Sequence, residues 1–402
     1  MAKAKINLNS KVMNSVKVAI ISPMIGTGRS GSGCQAVWII EALKDIYDLS
    51  LITTSRVSFN RLNEYWGTTI DLKDINIVKF PQFFLKYTER FNALRYSVVS
   101  RYCKRISSEF DVMFSTYNTM DLGKRGIQYI GDFLFSDILR DSLYPVPLKR
   151  EIGWFNRNTY SRKIYFRIAK YINYPSQENI WKNLTLVNSE WTKKLMKETY
   201  NVDSKVVYPP GSKVISSVSW NKKEDGFVCV GKLVPFKQIE RIIAILDKVR
   251  KKYFDIHLHI IGWEEDSSYT QKIKRLCDRN SSWCFLEGEM FGEKKLRFIS
   301  KHKFGINGCQ NEAFGIAIAE MVMAGCLVFV PNGGGQKEIV MHPDLIYENV
   351  DDAVVKIERI IRDSKKQIEL REHLKNQGKR FTTEKFIVEI RKIVRQFIET
   401  KI

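Results

Sequence analysis

The sequence has cysteines without a cysteine pattern, few histidines, no long apolar run, and too few acids for its bases. Its seven Cys, at 34, 103, 229, 277, 284, 309 and 326, are scattered and odd in number, and no two form a CxxC pair. That spacing excludes a disulfide framework and a zinc-finger site, and it suits a reducing compartment. No stretch of about 18 uncharged apolar residues occurs, so no transmembrane helix is expected. Residues 1–16, MAKAKINLNSKVMNSV, lack the apolar core of a signal peptide, which points to a cytoplasmic protein. Only five His are present. His257 and His259 share one face of the strand-like DIHLHIIG by period two. HxH can hold a metal, but no acid or third ligand is apparent, so the pair reads as structural and no metal is implied.

What is abundant is positive charge. Lys plus Arg number 65 against 44 Asp plus Glu, a formal charge of +21. An excess of that size implies an anionic partner: nucleic acid, an anionic membrane surface or a phosphorylated substrate. Neither zinc-finger spacing nor an RNP pattern is present, which argues against nucleic acid. The 402 residues exceed one ordinary core and imply two domains of roughly 200 residues each. No internal repeat or low-complexity tract is visible.

The most informative stretch is 303–340, KFGINGCQNEAFGIAIAEMVMAGCLVFVPNGGGQKEIV. It reads as strand, acidic loop, helix, strand and glycine turn. Ile316, Ala319, Met323 and Ala324 recur at helical spacing, and Gly325 is the stop. Glu312 precedes the helix. Glu320 sits among Ile318, Ala319, Met321, Val322 and Met323, where a lone carboxylate is costly unless it has donors. Two readings stay open: a core Glu bonded to amides or an Arg, or an acceptor for the hydroxyls of a polar ligand. Gly333, Gly334 and Gly335 favour the second, because they could supply amides to a cleft beyond the strand ends.

Two further strand–loop–helix units carry glycine. KVAIIS at 17–22 runs into PMIGTGRSGSGC and a helix over Ala36–Leu43, an anion or close-approach site at a helix N-terminus. GFVCVGKLVPFK at 226–237 ends a strand at Gly231, with Lys232 and Lys237 bracketing the turn into a helix over 238–253. Two cations at a helix N-terminus are unfavourable unless an anion shares the site.

Taken together, Glu312, Glu320, Gly231, Lys237 and the glycine run resemble the donor-binding signature of the retaining GT-B glycosyltransferases of family four. The nearest wording is that of the eukaryotic-type α-1,2-mannosyltransferases of lipid-linked oligosaccharides. The resemblance implies two doubly wound, Rossmann-like α/β domains facing a cleft, with no cofactor and no metal. It implies a nucleotide sugar, GDP- or UDP-linked, as co-substrate. Glu312 would lie over the transferred sugar and Glu320 at the ribose. Lys232 and Lys237 would clamp the diphosphate. Gly33 would pack against the diphosphate and the acceptor, Gly288 would meet the base, and the loop at Phe314, Gly315 and Ile316 would offer amides to the sugar. Cys34-Gln35 replaces the acid-base pair usual in close relatives. Asp132, just past a strand end, stands where they carry a His, and is a candidate sugar contact.

The expected division is residues 1–208 as an acceptor-binding domain, 209–378 as the nucleotide-sugar domain, and 379–402 as a helix crossing back to the first. Residues 47–80 read as short strands and turns. Two stretches, 83–105 and 148–171, interleave aromatics with Lys and Arg. The first fits a docked surface helix or a helix lying in a membrane interface, and the second fits base stacking, a lipid surface or a diphosphate-lipid acceptor. The resemblance puts that region on the acceptor side. A glycan or polyprenyl-linked acceptor and peripheral attachment to the cytoplasmic face of an anionic membrane are therefore expected. The mechanism implied is hexose transfer with retention, with mannose favoured. A sugar-phosphate synthase or phosphorylase of the same fold, a basic RNA-binding protein and an inactive scaffold are the rival readings.

Overall fold

The structure, a computed structural model, describes residues 16–27, 31–80, 92–133, 135–143, 160–212, 218–252, 254–264 and 267–400. Parts of both aromatic–basic stretches, 83–91 and 148–159, lie outside them.

The first sheet contains β1 (Lys17–Ile21), β2 (Asp48–Thr53), β3 (Asn76–Lys79), β4 (Val112–Ser115), β5 (Ile127–Ile130), β6 (Leu184–Val187) and β7 (Ser204–Val206). Their order is β3-β2-β1-β4-β5-β6-β7, all parallel. The second contains β8 (Glu224–Val230), β9 (His257–Ile261), β10 (Cys284–Gly288), β11 (His302–Ile306), β12 (Leu327–Pro331) and β13 (Ile346–Tyr347), ordered β10-β9-β8-β11-β12-β13 and again parallel. Both are doubly wound, as the resemblance implies. In such sheets the order reverses between two central strands, and ligands gather beyond their C-terminal ends. Those strands are β1 and β4 in the first sheet, β8 and β11 in the second.

Residues 47–80 differ from expectation, because they include the helix Phe59–Trp66. Its apolar residues Phe59, Leu62 and Trp66 fall at i, i+3 and i+7 and are buried. The Tyr, Asn and Arg between them mask that period. The charged tail divides into the helices Val350–Arg362 and Ser364–Gly378, because the Asp363 side chain caps the second. Thr383–Glu399 follows, and its Phe386, Ile390, Ile393, Val394 and Phe397 join the first domain's core with Trp38 and Leu43. The last helix is thus built into the domain that precedes the second sheet.

Other bonds join the halves. Glu338 Oε2 accepts from the amide of Glu190 (2.9 Å) and Oε1 from that of Trp191 (2.8 Å), at the start of the helix Glu190–Tyr200. A carboxylate at a helix N-terminus satisfies orphan donors and opposes the helix dipole favourably. Tyr208 also donates to Glu338, at 3.0 Å.

The glycine run has a different job from the one its sequence suggests. A Cβ at Gly333 would lie 2.1 Å from the Gln310 carbonyl, one at Gly334 2.2 Å from that of Glu312, and one at Gly335 2.3 Å from that of Ala313. The Gly333 amide bonds Pro331 O, and the Gly335 amide bonds Glu312 O at 2.8 Å. The run therefore forms the floor under the Glu312 loop, and these two amides serve the chain itself.

Two stability measurements follow. Ile390→Ala empties a fully buried position, and is expected to cost about 2–5 kcal/mol in a denaturant titration. Gly334→Ala forces a Cβ into a backbone at φ +70° against Glu312 O. It is expected to cost about 1–3 kcal/mol, and an unchanged midpoint would mean that the floor does not fix the loop.

Candidate functional site

Strand β8 ends at Val230, and Gly231 and Lys232 follow it. A short 3-10 turn over Pro235–Lys237 then leads into the helix Ile239–Arg250. The turn closes with Gln238 in the left-handed region at φ 48°. Strand β11, the neighbour of β8, ends at Ile306, and its loop carries Glu312. The two loops touch: a Cβ at Gly308 would lie 2.6 Å from Gln238 O and 2.7 Å from Lys237 O. Lys237 Nζ pairs directly with Glu312 Oε2, each side chain a fifth exposed. Burial alone would lower the Lys237 pKa, but the Glu312 charge outweighs it and holds the ammonium above its ordinary value. Residues 75 positions apart in sequence thus share one place between the sheet-end loops.

Around the pair, Lys232 Nζ stands 4.7 Å from the centre of the Trp263 ring, a cation–π contact. Gly231 is packed against Lys237, whose Cε would be 3.7 Å from an added Cβ. Gly288, at φ +71°, ends β10 beside open space. Gly315, at φ +102°, opens the helix Ile316–Met323, and its carbonyl accepts from the amides of Ile318 and Ala319 at 2.9 and 3.1 Å. The Phe314 ring itself is buried against Tyr208 and Phe381, with ring centres 5.7 and 5.4 Å away. Ile316 packs against both main cores, and its Cδ1 would lie 3.7 Å from a Cβ at Gly31. The start of the helix Gly31–Leu43 in the first domain therefore faces the start of this helix. Gly33 is buried in the helix Gly31–Leu43. Gln35 lies against Gly131, its amide 2.8 Å from where a Cβ would stand.

Asp132 follows β5 in the first domain. Asn118, itself at φ 56°, donates to its Oδ1 at 2.8 Å.

Glu320 is only 1 % exposed. Lys295 Nζ contacts both its oxygens at 2.8 Å, and Ser212 donates to Oε1. Its carboxylate is therefore engaged by protein donors, closer to the core-Glu reading than to an open acceptor, with a Lys where an amide or Arg was expected. Lys295 was not legible as a site residue, because EKKLRFIS reads as a solvated face. The clue was Glu320, which cannot be buried in apolar company without a cation. Glu338 and Gln336 were also missed as organisers. Gln336 is buried and bonds Asn307, Cys309 O and Gly333 O, fastening the Glu312 loop to the glycine floor.

The structure corrects the reading of the HxH pair. Glu224 and His302 join His257 and His259, with one ligand atom from each within 4.8 Å of the others. Both the acid and the third histidine are present, at the N-terminal edge of the sheet.

Residues 213–381 match the family described as glycosyl transferases group 1. The chain is 23% identical over 265 residues to a GDP-Man:Man(3)GlcNAc(2)-PP-Dol alpha-1,2-mannosyltransferase of Dictyostelium discoideum, an alignment covering 60% of this chain and 52% of that one. The chain spans about half the length of the curated relatives it matches. Among solved structures, Anabaena Alr3699/HepE in complex with UDP and glucose superposes with a TM-score of 0.65 at 12% identity, over 94% of this chain and 99% of that one. A sucrose-phosphate synthase from Thermosynechococcus elongatus does so at 0.65 and 13%, over 96% and 100%. At such identities these two likenesses establish the fold alone. Residues 213–381 thus carry the similarity to the glycosyl transferases group 1 family, in a chain with the GT-B fold.

Proposed function

We propose that this protein transfers a hexose from a nucleotide sugar to a hydroxyl of a glycan or lipid-linked acceptor, with mannose from GDP-mannose as the favoured donor. The observation that carries the reading is the Lys237–Glu312 pair at the C-terminal ends of the two central strands of the second sheet. The donor preference and the acceptor class rest on the names of the curated relatives.

In this reading the donor diphosphate lies over the start of the helix Ile239–Arg250, and Lys237 and Lys232 turn to its oxygens. Displaced from Lys237, Glu312 is free to accept hydroxyls of the transferred sugar. As the bond from the anomeric carbon to the diphosphate breaks, charge grows on the leaving oxygen, and fixed cations there lower the barrier. The acceptor oxygen bonds the same face of that carbon, and its proton passes to the departing phosphate. Glu320 holds the ribose through hydroxyls that compete with Ser212, Asp132 contacts the sugar, and Gly33 packs beside the diphosphate. No cofactor takes part in these steps.

The acceptor side of the proposal rests on the helix Tyr160–Asn173. Tyr160, Ile164, Ile168 and Tyr171 are exposed and fall at i, i+4, i+8 and i+11, one apolar stripe. Lys163, Arg167 and Lys170 run beside it and are also exposed. This is the pattern of a helix that sinks apolar side chains into a lipid interface while its bases meet phosphate. Among the described residues no helix is long and apolar enough to cross a membrane.

Incubation with GDP-mannose, UDP-glucose and UDP-N-acetylglucosamine should release nucleoside diphosphate slowly from one of them. Glu312→Gln and Lys237→Ala should each lower that turnover by about 100-fold or more, with circular dichroism showing each variant still folded. Release from no donor, or turnover unchanged in both variants, would sink the enzyme reading. In flotation with anionic liposomes at low salt the protein should rise with the lipid, and Ile164→Asp with Ile168→Asp should leave it at the bottom. Wild type remaining at the bottom would end the membrane reading.

A further inference from the structure

The N-terminal edge of the second sheet holds a cluster that sugar transfer does not use. Glu224, His257 and His302 begin β8, β9 and β11, and His259 lies two residues along β9. The rings crowd together: centres are 5.0 Å apart for His257 and His259, 5.5 Å for His257 and His302, and 4.9 Å for His259 and His302. The chain makes room for them. A Cβ at Gly226 would stand 2.0 Å from His257 Nε2.

The hydrogen bonds fix which nitrogens carry protons. His302 Nδ1 lies 3.0 Å from the Phe298 carbonyl, which only accepts, so this nitrogen donates. His259 Nδ1 lies 2.7 Å from Glu287 Oε1, and with that carboxylate ionised it too donates. In the neutral imidazoles Nε2 is then a bare lone pair. His302 is 1 % exposed, and its Nε2 has no hydrogen-bond partner, nor has the buried Nε2 of His257. These two atoms lie 3.6 and 3.4 Å from Glu224 Oε2. The His302 lone pair faces that carboxylate and is repelled by it unless a cation stands between.

We propose that Glu224, His257, His259 and His302 form a structural site for one divalent transition-metal ion, zinc by the character of its ligands. Neutral imidazole nitrogens with one carboxylate suit zinc in tetrahedral array. Metal–nitrogen bonds of about 2.1 Å put neighbouring ligand atoms about 3.4 Å apart, so the cluster, whose atoms lie within 4.8 Å of one another, needs to close by about an ångström. Glu287 and the Phe298 carbonyl are the outer partners that fix the rings, as metal-bound histidines generally require. The Glu224 side chain is half exposed, which gives the ion a way in. The site lies at the opposite end of β8 and β11 from Lys237 and Glu312. Its role is to tie three strands together, and it is independent of the transfer chemistry.

The test uses the untagged full chain after chelator treatment, with Co2+ and Zn2+ as probes. One equivalent of Co2+ should give the visible ligand-field bands of a tetrahedral ion, and Zn2+ should displace it and raise the melting temperature. His257→Gln and Glu224→Gln should each weaken Co2+ binding at least tenfold, and the outer-partner variant Glu287→Gln by about 10–100-fold. Each variant's circular dichroism without metal reports whether it has folded. Absence of tetrahedral bands in the wild type overturns the proposal. Binding undiminished in both folded variants, His257→Gln and Glu224→Gln, does so too.

Discussion

The Lys237–Glu312 ion pair is the interaction around which the second domain is arranged. Neither charge could sit alone between sheet-end loops without a desolvation cost of several kcal/mol, and each is four-fifths covered. Together they neutralise one another and leave the loops room to be close. Every nearby backbone approach depends on a missing Cβ. A Cβ at Gly262 would lie 1.9 Å from Gly231 O, Gly308 meets the turn at Lys237 and Gln238, and Gly333 to Gly335 support the strand-end loop from beneath. These glycines spread over three loops because three strand ends converge. The pair also sets the condition for ligand binding. An anion that takes Lys237 must do better than a carboxylate already in contact, which favours a multiply charged group such as a diphosphate over a single charge.

That arrangement is tied to the first domain through the same turn. Three residues past the glycine run, Glu338 caps the helix Glu190–Tyr200 and accepts from Tyr208. Arg380 reaches the Glu338 carbonyl and the Tyr208 hydroxyl, both at 3.0 Å. Charge-assisted bonds of this kind are stronger than neutral ones and directional. Ser189, whose hydroxyl caps the same helix through Thr192, also bonds Ala313 O at 2.7 Å. The neighbour of Glu312 is thus held from the first domain, and any separation of the halves disturbs the loop that carries the carboxylate.

The doubly wound order came from the family resemblance, while the strand-end positions of Gly231, Lys237 and Glu312 were legible because each rests on local signals: short apolar runs, glycines at strand ends, and an acid before a helix. What depended on distant residues was not. Glu320 announced a need for a cation, but nothing in the sequence singled out Lys295 among its neighbouring lysines. The helix Phe59–Trp66 shows its period through only three large side chains. The glycine run was read as a ligand surface, since glycine marks close approach without saying to what; here the approach is to the chain's own loop. His302 stands more than forty residues from His257, so only sheet pairing reveals that the two strands begin side by side.

Those strand beginnings matter to the opposite end of the sheet. Strands β8 and β11 carry Lys237 and Glu312 beyond their C-terminal ends, and Glu224 and His302 open them. Their ladder is irregular between His302 and Phe304, so backbone pairing is weakest where the histidines gather. A parallel ladder is slightly less stable per residue than an antiparallel one, and one that frays at its start lets the strands splay along their length. Side chains that bind across β8, β9 and β11 at that edge supply what the irregular ladder withholds. Lys223 works in the same place: its ammonium, buried beside β11, bonds the carbonyls of Ser300 and Ala324 at 2.7 and 2.9 Å. The starts of β8 and β11 are thereby held together at the end remote from the cleft.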